Sequence, residues 1–145
     1  MKATDKPTAF LNVQVTAIPG IDPATGKTKY AVHFKPATLQ VTEYDTVINY
    51  QLVDPTPAGV VFKSVTVKPS REDQLSDPSI SESGKLVTFS DANTKKAKFN
   101  LTLHFKDKAG VEFLHDPEIS NDPPPQLMLH ATLMPEVGNE PPPSN

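Results

Sequence analysis

The feature that most restricts this chain is alternation: apolar and polar residues trade places at every second position in nearly every apolar run, and proline or glycine ends each run early. "KKAKFNLTLHF" is the plainest case, with Ala97, Phe99, Leu101, Leu103 and Phe105 on one side and Lys98, Asn100, Thr102 and His104 on the other. A side-chain period of two belongs to a half-buried β-strand. A helix needs apolar positions three and four apart, and no long segment has them.

The same pattern recurs along the chain in "FLNVQVTAI", "KYAVHF", "ATLQV", "TVINYQLV", "GVVFKSVTV", "KLVTF", "VEFLH" and "QLMLHATLM". Leu11, Val13, Val15 and Ala17 share one face of the first, Tyr30, Val32 and Phe34 one face of the second, and Ile48, Tyr50 and Leu52 one face of the fourth. Eight or nine short strands with turn chemistry between them, and no βαβ signal, predict an all-β fold: a two-sheet antiparallel β-sandwich, immunoglobulin-like or cupredoxin-like in outline. Residues 68–84 read as an exposed loop with one helical turn around Arg71 to Leu75. "SDANT" reads as a turn, and "DPEISNDPPP" as a loop leading to the last strand. Asp-Pro recurs at Asp22, Asp54, Asp77, Asp116 and Asp122, always between predicted strands. The aspartate can accept backbone amides just ahead of it, and the proline stops strand propagation.

A chain of 145 residues suits one domain. Residues 1–135 are expected to form it, and residues 136–145, "EVGNEPPPSN", to form a loose proline-rich tail. Cysteine is absent, which removes disulfides, thiol nucleophiles, thiolate metal sites and the cysteine ligand of a blue-copper centre. No apolar leader and no membrane-length apolar run occur, so a cytoplasmic protein with no membrane partner is expected. Net charge is −3, with one short basic cluster at Lys95, Lys96 and Lys98, which argues against a nucleic-acid partner.

Two stretches contain residue types that could carry chemistry. In "HDPEISND", His115, Asp116, Glu118 and Asp122 offer nitrogen and oxygen ligands for a divalent ion or small ligand, though no glycine allows the sharp turn of a calcium loop. A plain turn is the favoured reading. In "MLHATLM", Met128, His130 and Met134 fall on one strand face, where thioether and imidazole could hold copper(I); a less buried face of a terminal strand is the simpler account. His33 and His104 lie on polar faces. Glu43 and Asp45 are a possible carboxylate pair, but no nucleophile motif or phosphate loop is present, so no enzyme and no cofactor is expected.

"YDTVINYQL", "FSDANT", "FNLTLHF" and "FLHDPEISNDPP" together resemble the DP-EP family of small uncharacterised bacterial proteins, over residues 38–124, with "DPEISNDP" the most specific piece. The resemblance implies a bacterial origin and brings no catalytic residues to carry over. The function expected is a non-enzymatic module that binds a protein partner or self-associates through proline-rich rims or open strand edges, with ligand or metal binding at His115 to Asp122 as the alternative.

Overall fold

A computed structural model describes residues 6–69 and 73–125. The expected strands form where alternation is regular: β1 (Phe10–Ile21), β2 (Thr28–Lys35), β3 (Thr38–Val41), β4 (Thr46–Leu52), β5 (Val61–Lys68), β6 (Ser79–Ile80), β7 (Leu86–Asp91), β8 (Ala97–Lys106), β9 (Glu112–His115) and β10 (Glu118–Asn121). One sheet runs β2-β1-β4-β7-β6. The other runs β3-β10-β8-β5, with β9 also paired to β8. Together they make the predicted sandwich, and no helix is found among the described residues. None of these residues forms a helix long and apolar enough to cross a membrane.

The buried faces are those the alternation marks. Val13, Val15 and Ala17 of β1 and Ile48, Tyr50 and Leu52 of β4 pack in one core with Phe99, Leu101, Leu103 and Phe105 of β8. Burying one face of each sheet against the other removes this apolar surface from water, which is what drives the two layers together. At one margin the core ends in a run of rings: Tyr30 stacks on Phe113 at 4.2 Å, Phe113 on Phe105 at 4.9 Å, and Phe105 meets Phe62 at 5.2 Å.

Four expectations need correction. The sheets are mixed, not purely antiparallel, because β1 runs parallel to β4 and β10 parallel to β3. The strands among the described residues number ten, above the eight or nine expected. Residues 68–84 are also not all exposed loop: β6 pairs with β7, and Leu75 is buried and bridges to Asp91. The predicted strand "QLMLHATLM" and residues 136–145 lie outside the described residues.

The fourth correction concerns "DPEISN", whose last four residues, Glu118–Asn121, are strand β10 and not loop. β9 and β10 keep one register against β8, with Leu103 opposite His115 and Asn100 opposite Glu118. Between them the Leu101 amide donates to the Pro117 carbonyl at 2.9 Å. An ordinary residue at this position would return an N–H to Leu101; proline has none, so the ladder misses one rung and the strand divides into β9 and β10.

Candidate functional site

The extended run of β9 and β10 in one register decides the fate of the predicted ligand set. Successive side chains point to opposite faces, so His115, Pro117, Ile119 and Asn121 line one side and Asp116, Glu118 and Asp122 the other. Pro117, Ile119 and Asn121 are buried, whereas His115 sits at the sandwich margin with its ring 6.1 Å from that of Phe34. At roughly 3.3 Å per residue the three carboxylates spread along the outer face, and they do not converge. Among the described residues no three His, Cys, Asp or Glu side chains gather as a metal-holding group. Met128, His130 and Met134 lie outside the described residues. Of the five Asp-Pro aspartates, Asp22 alone among the described residues accepts a recorded amide with its side chain, that of Ala24 at 2.9 Å.

The polar residues that the fold does bring together lie at one end of the sandwich, where β7 and β10 finish. Asp91, Asn93 and Asn121 are 0%, 0% and 1% exposed. Asp91 Oδ1 accepts the Asn93 backbone amide at 2.9 Å and Asn121 Nδ2 at 2.9 Å, so a single carboxylate oxygen latches the two sheets. Asn93 adopts φ 52°, a left-handed conformation that asparagine tolerates better than most residues, and its Nδ2 donates to the carbonyls of Val41 and Glu43 at 3.1 and 3.2 Å. Gln74 closes the other side. Its Oε1 accepts the amides of Thr94 and Lys95 and Asn121 Nδ2, while its Nε2 donates to Thr94 Oγ1 at 2.8 Å. Burial pushes the Asp91 carboxyl above the usual carboxylate range, opposed by the bonds from Asn121 and the Asn93 amide.

Reading "SDANT" as a turn and residues 68–84 as exposed loop passed over Asp91, Asn93 and Gln74. A signal was present: extending the alternation of Val87 and Phe89 by one step puts Asp91 inward, just as Ile119 puts Asn121 inward. A charged residue at an inward position is the mark of a polar junction.

Two other features complete the polar inventory. On the outer face of the second sheet, Ser64 Oγ lies 3.4 Å from His104 Nδ1, His104 Nε2 lies 2.8 Å from Glu112 Oε1, and Lys63 Nζ reaches Glu112 Oε2 at 3.0 Å. The order serine, histidine, carboxylate resembles a hydrolytic triad, but the serine contact is long and Glu112 is held by Lys63, which keeps its carboxyl below the ordinary range. Register alone explains it, because Ser64 faces His104 across the β5–β8 ladder. Separately, Lys6, Pro7, Thr8, Ala9, Tyr44 and Pro124 border an open groove of about 560 Å³ that shares Glu43 and Asp45 with the loop beside Asn93. Glu43 there pairs with Lys6 at 3.1 Å and not with Asp45.

Fold and junction define a small mixed-sheet sandwich whose layers are fastened at one end by a buried aspartate and its two asparagines. The chain belongs to the DP-EP family, which it matches over residues 9–123. That span holds both halves of the junction, Asp91 from "FSDANT" and Asn121 from "DPEISNDP". Comparison with curated proteins finds no match.

Proposed function

We propose that this chain is a non-enzymatic protein-binding module that joins a second copy of itself by strand addition along β2. The observation that carries the proposal is the condition of that edge. β2 pairs with β1 over eight consecutive residues without a bulge, and among the described residues its other side has no partner strand. The remaining edges are less available: β3, β6 and β9 have four, two and four residues, and β5 is interrupted by a register shift between Phe62 and Ser64, with the Phe62 amide already given to the Gly84 carbonyl. A long regular edge is a template for another strand, and folds usually blunt it with bulges, charges or shortness.

A two-fold axis perpendicular to the sheet would continue it with antiparallel pairing, residues directly opposite one another facing the same way. Centred on Val32, the register sets Lys29 against Lys35 of the other copy, which repels. Centred on Ala31, it sets Lys29 against His33, leaves Lys35 only against Lys27, which lies outside the strand, and brings together the exposed Ala31 of each copy beside its cross-strand neighbour Ile18. The second register is favoured. A cytoplasmic setting, with no membrane or nucleic-acid partner, belongs to the same proposal and is supported by the lack of cysteine and the net charge of −3.

Sedimentation equilibrium tests it. The expected result is a concentration-dependent dimer that Ala31→Asp, by placing two carboxylates face to face, converts to monomer with a stability change below about 1 kcal/mol. A wild-type monomer at every concentration, or an Ala31→Asp dimer of undiminished strength, would overturn the proposal.

A further inference from the structure

Three oxygens at the polar junction have no hydrogen-bond partner among the described residues: Asp91 Oδ2, Asn93 Oδ1 and Asn121 Oδ1. Mistaken amide orientations do not explain them. Turning Asn121 over would aim its oxygen at Asp91 Oδ1 and Gln74 Oε1, both acceptors, and turning Asn93 over would aim its oxygen at two carbonyls. Asn121 reaches the Asp91 carboxylate with its side chain and Asn93 with its backbone amide, and all three oxygens are acceptors. Only a donor or a cation can satisfy them, and leaving buried polar atoms unserved is costly.

We propose that Asp91 Oδ2, Asn93 Oδ1 and Asn121 Oδ1 are ligands of a buried site for a small monovalent cation of sodium's class. Carboxylate and amide oxygens are the hard donors such ions take. Charge selects the valence. Among the described residues no Lys, Arg or His bonds to Asp91, so a single positive charge neutralises the site, whereas a divalent ion would leave a buried excess. A lone water supplies two donors for three acceptors and leaves the charge; a lone proton on Asp91 supplies one. A proton and a water together balance the count. The two N–H bonds onto Asp91 Oδ1 favour the ionised carboxylate and burial favours the protonated one, so the two solutions are separated by their response to salt.

Thermal melts of the full chain decide between them, run in sodium chloride and in choline chloride at equal ionic strength and neutral pH. The expected result is a melting temperature that rises and saturates with sodium but not with choline, and a response to sodium that vanishes in Asp91→Asn. Identical melts in the two salts would overturn the site and leave the proton-and-water account; this wild-type comparison stands even if Asp91→Asn fails to fold. Persistence of the sodium response in Asp91→Asn would place the ion elsewhere. Calcium acting at a hundredfold lower concentration than sodium would overturn the choice of valence.

Discussion

Tyr30 ties a single side chain to both layers of the molecule. Its ring closes the aromatic stack on Phe113, and its hydroxyl donates to Asp107 Oδ2 at 2.8 Å. Burial first, and then the bond to Asp107, push the phenol from 10.0 up to about 12, while the same bond holds the Asp107 carboxyl below its ordinary value. The signs are opposite. The Tyr30 contribution to stability is whole below pH 10.0 and is lost as the pH climbs through about 12. The Asp107 contribution is present above the ordinary carboxylate range and is lost as the pH falls through its lowered folded value. Denaturant titrations across pH should therefore show Tyr30→Phe losing the alkaline fall and softening the acid one. Unchanged profiles at both ends would mean that the hydroxyl and carboxylate do not meet in solution. The inward facing of Tyr30 was legible in "KYAVHF". Its partner was not, since no local pattern announces a residue brought in by the turn after β8.

At the scale of elements, β8 is the strand whose sequence says most about its surroundings. Leu101 is 0% exposed whereas its neighbour Thr102 is only partly covered. Leu101→Ala should cost about 2–5 kcal/mol through lost burial and the cavity left behind, and Thr102→Ala far less. Equal losses in urea titrations would mean that the facing is wrong. Strands like this one were readable because burial of one face writes itself into a period of two. β10 was harder to read. Its four residues lie between Pro117 and Pro123 among acidic side chains, so composition suggested a loop, while the register of Ile119 against Phe99 makes it an inner strand. The ligand set drawn from His115, Asp116, Glu118 and Asp122 failed for the same reason, because a strand separates neighbours that a loop could have gathered. Parallel pairings leave no local trace at all. Nothing near Phe10 indicates that it lies beside Val47.

On the scale of the whole molecule, the second sheet is completed by contacts between remote parts of the chain: β10 inserts between β3 and β8, and its last residue reaches across to Asp91 in the other sheet. Hairpins such as β1–β2 and β8–β9, which β10 extends, close short loops and can form early, but the parallel pairing of β10 with β3 and the bond from Asn121 to Asp91 in the other sheet must wait until both layers are in place. Asn121 would then be absent from the folding nucleus. Stopped-flow chevrons should show Asn121→Ala, which removes a bond to a buried carboxylate and costs about 1.5–3 kcal/mol, accelerating unfolding while refolding stays nearly unchanged. A matching slowdown of refolding would put the latch in the transition state. If the latch does close last, then Asp91 and the asparagines stay hydrated through most of the folding reaction, and the desolvation of that carboxylate belongs to the final step. The lifetime of the native sandwich would then depend on how firmly that end is shut, more than on how fast the core assembles.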